Sequence, residues 1–164
     1  MIVVSDTSIL TNLAAIQHLS LLPQLYHQVI IPEAVYRELT DLYPPVPGGL
    51  EAQSADWLQV RAMTSLGIFE RLRSEVRLDP GESEAITLAL ELKADLLLID
   101  ERRGREEANR LGLRIIGLLG ILVEAKYRRL IVAVKPLLDA MISTSEFRVS
   151  PALYNQILDR VDEL

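Results

Sequence analysis

The sequence predicts an α/β fold in which a central, mostly parallel sheet lies between two layers of helices. Short apolar runs rich in β-branched residues alternate with amphipathic helical segments along most of the chain, as in parallel strands joined by crossover helices. The 164 residues suffice for one domain with a hydrophobic core, and the chain is 49% hydrophobic and 24% charged, which is typical of folded domains. We therefore expect a single domain over residues 1–164, with 150–164 forming an additional C-terminal helix.

Each predicted element depends on apolar spacing and on the residues that begin or end it. Thr7 or Ser8 is expected to cap the first helix, which follows the first strand. Pro32 is expected in the first turn of its helix, where proline is tolerated, and Pro80 with Gly81 marks a break before a strongly apolar helix. The predicted strands are 2–5, 29–31, 57–60, 96–99 and 114–116; the later predicted helices are 32–39, part of 66–78, 82–92, 102–111, 117–126, 131–142 and 151–161, with a loop at 43–49.

Composition limits the chemistry available to this chain. It has no cysteine, so disulfides and thiolate metal sites are excluded. With only His18 and His27, histidine-based zinc sites are disfavoured, and any metal would be a hard cation held by oxygen. The start MIVVSDTS lacks the features of a signal peptide, and no apolar run could span a bilayer, so the expected location is the cytoplasm.

The net charge of −6 argues against nucleic-acid binding driven simply by the overall charge of the protein. A cluster of carboxylates that binds divalent cations nevertheless reverses its local charge. The basic residues are also grouped in two short stretches, which contain Arg102, Arg103, Arg105, Arg110 and Arg114, and then Lys126, Arg128 and Arg129.

Four acidic residues lie at the ends of predicted elements. Asp6 and Asp100 each follow a strand directly, and ligands of open α/β sheets bind beyond the carboxyl ends of the strands. Glu38 lies near the end of one helix and Glu82 in the first turn of another. Carboxylates are suitable ligands for Mg²⁺, and two such ions can activate water for phosphodiester cleavage.

Taken singly, each of these acids has an ordinary structural explanation. An aspartate after a strand often closes a turn or caps a helix, and a glutamate in a first helical turn interacts favourably with the helix dipole. Glu38 alone is an ordinary helix residue. The prediction of a site therefore depends on the four acids converging in space.

The segments that carry these acids resemble the PIN-domain family, which includes VapC-type toxins. The opening VVSDTSIL matches the family's start at Asp6 and Ser8, IPEAVYREL places a second acid at Glu38, and LLLIDE places the fourth at Asp100. In similar toxins the third acid lies eighteen positions before the fourth, which here is Glu82, a glutamate where an aspartate is usual. Glu84 is a competing candidate.

The C-terminal half resembles a branch of uncharacterised bacterial PIN-like proteins through DPGESEAITLALE, LLLIDERRGREEANRLGL and IIGLLGILVEAKYRRLI, so the resemblance covers roughly residues 1–145. It implies an endoribonuclease dependent on Mg²⁺ or Mn²⁺, plausibly the toxin of a type II toxin–antitoxin pair. An RNA substrate, an antitoxin protein and a homodimer are the implied partners. The implied catalytic and metal ligands are Asp6, Glu38, Glu82 and Asp100.

Three further residues are candidates for substrate binding. Ser8 could position a metal-bound water or cap the helix. Arg102 and Arg103 could contact RNA phosphates beside Asp100, or form a solvated helix face paired with neighbouring glutamates.

Two other functions compete with the nuclease. A catalytically silent PIN-like domain, binding or regulatory in role, would account for the glutamate at position 82 and for the acidic net charge. A phosphatase of the haloacid-dehalogenase type is disfavoured, because Ser8 occupies the position of its second aspartate and no glycine-rich phosphate loop follows the first strand.

Overall fold

A computed structural model describes all 164 residues and contains a five-stranded sheet in the order β3-β2-β1-β4-β5. Every neighbouring pair of strands is parallel. The sheet is therefore wholly parallel, where the sequence predicted a mostly parallel one. The strands are β1 Val3–Ser5, β2 Val29–Pro32, β3 Leu58–Arg61, β4 Leu96–Leu98 and β5 Ile115–Ile116.

Helices connect the strands and cover both faces of the sheet. None of them combines the length and apolar character needed to cross a membrane. They are α1 Thr7–Ala15, α2 Leu21–Tyr26, α3 Glu33–Thr40, α4 Gly49–Ser54, α5 Leu66–Arg71, α6 Pro80–Glu91, α7 Arg102–Arg110, α8 Leu118–Tyr127, α9 Lys135–Thr144 and α10 Pro151–Arg160, with a π-helical segment at Leu72–Val76.

Alternating residues of the central strands face two separate cores. Val3 and Leu98 belong to a cluster of 26 buried residues, whereas Val4 and Leu97 belong to a second cluster of 10. This alternation follows from the two-residue period of a strand. The larger core is formed with α1, α2, α8, α9 and α10, the smaller one with α6 and α7. The predicted three-layer α/β/α architecture is confirmed.

Several element boundaries differ from the predictions. The short helices α2 and α4 were not predicted: α2 is only six residues long and contains Pro23, and α4 follows directly after a loop rich in proline and glycine. Pro32 ends β2 and precedes α3 instead of opening that helix. The prediction that Thr7 or Ser8 caps α1 was wrong, because the Asp6 carboxylate accepts the N–H of Ile9.

Strands β1 and β4 are neighbours, with Val4 opposite Leu97 and Ser5 opposite Leu98. The chain therefore places Asp6, directly after β1, and Asp100, shortly after β4, at the same edge of the sheet. From β1 the sheet extends to β2 on one side and to β4 on the other. This is the topological switch point at which ligands bind in open α/β sheets.

Candidate functional site

Asp6 lies at the carboxyl end of β1, at the N-terminus of α1, with only 2% of its surface exposed. Its Oδ1 accepts the backbone N–H of Ile9 at 3.3 Å and the hydroxyl of Ser8 at 3.2 Å. Burial outweighs these hydrogen bonds and raises the pKa of Asp6 to about 7. The negative charges of Asp100 and Asp79 contribute in the same direction.

Glu38 reaches this cleft from α3. Its carboxylate accepts the hydroxyl of Thr7, the residue after Asp6. A Cβ at Gly81 would lie 2.7 Å from both carboxylate oxygens of Glu38, so only glycine leaves room for the carboxylate there. Burial raises the pKa of Glu38, although the hydroxyl of Thr7 opposes the shift.

Glu82 points into the cleft from the first turn of α6 and is 7% exposed. Its Oε1 is buried without a hydrogen-bond partner. Burial, followed by repulsion from Asp79 and Glu101, holds its pKa well above the usual range. The backbone of Glu82 is fixed by Asp79, which caps α6 by accepting the Glu82 N–H at 2.8 Å.

Glu84, the competing third acid, does not line the cleft. Its Oε2 accepts the backbone N–H of Ala34 at 2.6 Å, in the first turn of α3, and its Oε1 lies 3.9 Å from Arg37. The structure therefore places Glu82, and not Glu84, with Asp6 and Glu38.

Asp100 lies near enough to Asp6 to repel its charge, and it lines two grooves, one of which shares residues with the cleft. Its Oδ1 accepts the N–H of Leu118 at 3.2 Å, at the N-terminus of α8, and lies 3.9 Å from Arg105 Nη1. A side chain at Gly117 would overlap both Asp100 and Arg105. Burial raises the pKa of Asp100, and these two partners oppose the rise.

The cleft has a volume of about 290 Å³ and is lined only by carboxylates and hydroxyls. No basic or apolar side chain contributes to it, although the neighbouring grooves contain both. Two acids of the cleft were not predicted as site residues, and each caps a helix in the structure. The lining residues are Asp6, Thr7, Ser8, Thr11, Glu38, Asp79, Glu82 and Glu101, of which Asp79 and Glu101 are the acids that were missed.

The predicted substrate-binding residues are separated in the structure. Ser8 lines the cleft and donates to Asp6. Arg102 borders a groove that includes Asp100, but its guanidinium pairs with Glu106 at 3.0 Å. Arg103 borders a different depression, which contains none of the four predicted acids. Arg102 and Arg103 therefore do not act on the same side of the site.

The cleft offers suitable donors for a hard divalent cation, but it is not a preformed cage. No group of three or more His, Asp or Glu side chains is arranged to hold an ion directly. The buried, unpartnered Oε1 of Glu82 is nevertheless a free oxygen donor that a cation would satisfy. Mg²⁺ retains several waters when bound and needs only one or two carboxylates, so the residues present fit such an ion.

A wholly parallel α/β/α sheet with an acidic cleft at its switch point defines an α/β protein with a candidate site for a hard divalent cation. A family model described as a PIN domain matches residues 2–163, so the chain belongs to the PIN-domain family. PIN domains are generally nucleases that use divalent metals. The matched region includes α10, beyond the part of the chain whose motifs carried the resemblance. No curated protein matches this sequence.

Proposed function

We propose that this protein is a metal-dependent endoribonuclease that hydrolyses RNA phosphodiester bonds at the acidic cleft, with Mg²⁺ or Mn²⁺ as cofactor. The observation that carries the proposal is a cleft lined by five carboxylates and three hydroxyls, with no basic side chain among them. Buried carboxylates that repel one another are costly unless a cation offsets their charge.

Asp6, Glu38, Glu82 and Asp100 are the residues that would hold the cation. When bound, a divalent cation lowers the pKa of a water molecule and stabilises negative charge on a phosphate. The chain's own residues orient the acids: Thr7 holds Glu38, Ser8 and the Ile9 N–H hold Asp6, and Arg105 with the Leu118 N–H holds Asp100. The cleft contains no cysteine, histidine or lysine that could act as a nucleophile.

Cleavage of a panel of structured and single-stranded RNAs tests the proposal, in Mn²⁺ and in EDTA. We expect cutting by the wild type in Mn²⁺ only, and at least a roughly 100-fold loss in Asp6→Asn and Asp100→Asn, because each change removes a charged oxygen donor. Asp6→Asn and Asp100→Asn also control for contaminating nuclease, and Arg160→Gln, at an exposed position of α10, controls for a general effect of substitution. Equal cutting by Asp6→Asn and the wild type would contradict the assignment.

The finer functional statements are supported by the sequence resemblance alone. These are the role as toxin of a type II pair, an antitoxin partner, a homodimer and a cytoplasmic location. Induced expression in a bacterial host tests the first: a toxin should arrest growth, and its Asp6→Asn variant should not. Unimpaired growth with the wild-type protein expressed and folded would contradict the toxin role.

A catalytically silent PIN-like domain is the second candidate. This candidate is favoured because no three acidic side chains are already arranged to hold one metal ion. It is also favoured by Glu82, a glutamate where the similar toxins usually have an aspartate. Calorimetry separates the two candidates: Mn²⁺ binding that is lost in both Asp6→Asn and Asp100→Asn would contradict a silent site.

A further inference from the structure

One groove adjoins the acidic cleft, and a second groove meets the first at one loop. The first groove, of about 790 Å³, shares Ser8, Thr11 and Glu101 with the cleft. The second, of about 580 Å³, lies along α7, β5 and the start of α8. Asp100 and the loop residues Phe147 and Arg148 line both grooves. The first groove is therefore adjacent to the cleft and to the second groove, and Asp100 is shared by both grooves.

The loop is the segment between α9 and α10, residues 145–150, which we call the α9–α10 loop. Phe147 anchors it, since that side chain is 8% exposed and belongs to the larger core. On its C-terminal side, α10 is packed through Ile157 and Leu158. Beyond α10, Glu163 accepts Lys126 Nζ at 2.7 Å and the Val134 N–H at 2.8 Å. The C-terminal segment thus holds this loop against the grooves.

Arg148 is the basic residue of these grooves that has no carboxylate partner. Arg102 pairs with Glu106 and Arg105 with Asp100, whereas the exposed Arg148 forms no ion pair. Its Nη1 donates to the carbonyl of Phe147 at 3.2 Å, which leaves the other guanidinium donors free. A free guanidinium fork is well suited to bind a phosphate.

The first groove contains the carboxylates of Asp100, Glu101 and Glu146, and it also presents neutral polar groups beside this cation. Thr11, Asn12, Thr144 and Ser145 supply hydroxyl and amide groups, and Arg148 is the one basic residue there. Such groups can hydrogen-bond with the 2′-hydroxyls and unpaired base edges that single-stranded RNA presents. Because the neighbouring carboxylates repel phosphate, a strand that reaches the cleft needs a cation for its flanking phosphate.

We propose that single-stranded RNA lies in the groove completed by the α9–α10 loop, with Arg148 binding a backbone phosphate next to the cleft. The proposal takes RNA as the substrate from the proposed function and adds the strand's position and the residue that binds it. It also assigns a function to the C-terminal segment, whose last helix carries and fixes this loop. Arg148 contacts the substrate in this assignment and takes no part in the chemical step.

Equilibrium binding tests the assignment without relying on cleavage. In an Asp6→Asn background, which keeps RNA intact and is expected to bind no cation in the cleft, the anisotropy of a labelled mixed-sequence single-stranded RNA is measured over a range of salt concentrations. We expect Arg148→Gln to weaken binding about 3–10-fold at low salt and to reduce the slope of log K against log salt by about 0.7, the loss of one phosphate contact. Arg148→Lys should restore most of the slope, since it keeps the charge.

Arg160→Gln is the matched control, because Arg160 is an exposed arginine of the same segment that borders neither groove and forms no ion pair. The proposal would be overturned if Arg148→Gln left the slope of log K against log salt unchanged, or if Arg160→Gln changed it equally. It would also be overturned if Arg148→Gln weakened the binding of duplex RNA equally, or if the parent protein bound no single-stranded RNA. The two proposals fail separately. Cleavage by the wild type together with an unchanged salt slope in Arg148→Gln refutes only the assignment of Arg148 and the groove to RNA binding. A changed salt slope without any cleavage by the wild type refutes only the proposed nuclease activity.

Discussion

Three glycines stand directly against the carboxyl groups of the site. Gly81 faces Glu38, Gly117 faces Asp100, and a Cβ at Gly104 would lie 3.1 Å from Glu82 Oε1. None of these glycines has the positive φ that would by itself require glycine. The residue type at these positions is therefore explained by space: Gly81 and Gly117 approach the carboxylates too closely for a side chain, and a side chain at Gly104 would meet Ile99 as well as Glu82.

Replacing Gly81 tests whether this close approach positions Glu38. In Gly81→Ala the added methyl would meet both carboxylate oxygens of Glu38 and displace them. We expect Mn²⁺ affinity, measured by calorimetry, to fall about 10-fold, the lower end of the effect of disturbing an outer-shell partner of a ligand.

Gly67→Ala is the control for this substitution. Gly67 is the second residue of α5, as Gly81 is of α6, and nothing lies within 4 Å of the position that an added methyl would occupy. We expect unchanged Mn²⁺ affinity and a stability gain of about 0.5–1 kcal/mol, since alanine is favoured over glycine in a helix. Equal Mn²⁺ affinity in both variants would show that Gly81 does not position Glu38.

At the scale of elements, one helix serves two purposes with neighbouring glutamates. Residues two apart on a helix are separated by about 200°. Glu82 consequently faces the cleft, while Glu84 turns to α3 and accepts the Ala34 N–H at 2.6 Å. Glu84 thereby satisfies one of the free N–H groups at the start of α3, which has no capping side chain of its own.

The pair Glu82→Gln and Glu84→Gln separates these two roles. We expect Glu84→Gln to lower the free energy of unfolding by about 1–2 kcal/mol, because a charged hydrogen-bond acceptor becomes neutral, and to leave Mn²⁺ affinity within about twofold. Glu82→Gln should lose Mn²⁺ binding but gain stability at neutral pH without metal, since the raised pKa of Glu82 means that folding forces a proton onto a carboxyl that is ionised in the unfolded chain. Chemical denaturation and calorimetry measure the two quantities.

A loss of Mn²⁺ binding in Glu84→Gln but not in Glu82→Gln would identify Glu84 as the third acid. It would contradict the orientation of α6 in which Glu82 faces the cleft. A loss of Mn²⁺ binding in both variants, at unchanged secondary structure, would mean that the cation needs the packing of α6 against α3 as well as the Glu82 carboxylate.

For the whole molecule, the buried acids make metal-free stability depend on pH. Burial raises the pKa of Asp6 to about 7 and shifts Glu82 and Glu38 in the same direction. The folded state therefore retains protons that the unfolded chain has already released, and stability falls as pH rises through this range. From Asp6 alone we expect a loss on the order of 3 kcal/mol between roughly pH 4 and pH 7.

Chemical denaturation in EDTA at several pH values measures the slope of the free energy of unfolding against pH. Asp6→Asn should flatten it, because the variant has no proton to release at that position. Saturating Mn²⁺ should also flatten it, since a cation favours the ionised carboxylates. The opposite result would be a stability in EDTA that rises with pH over this range in the wild type but not in Asp6→Asn. That result would contradict the conclusion that burial disfavours the charged form of Asp6.

Much of the fold could be predicted because its local patterns are strong. The alternation of apolar runs and amphipathic segments indicated the parallel sheet, and all five strands overlap their predicted positions. The short helices α2 and α4 could not be found in this way. They are six residues each, too short for a helical period to be distinguished, and α2 is stabilised by burying Leu21, Leu22 and Leu25 in the larger core.

The sequence by itself determined the strands of the sheet and the acids at the strand ends, because strand period and chain order depend on neighbouring residues. The family was indicated by the resemblance of the motifs that carry those acids. Only the tertiary structure decided that Glu82 faces the cleft while Glu84 does not, that Asp79 and Glu101 join it, and that Arg148 borders grooves shared with Asp100. These outcomes depend on how α3, α6 and the C-terminal segment pack against the sheet. Packing joins residues that are far apart in the chain, which local periodicity does not encode.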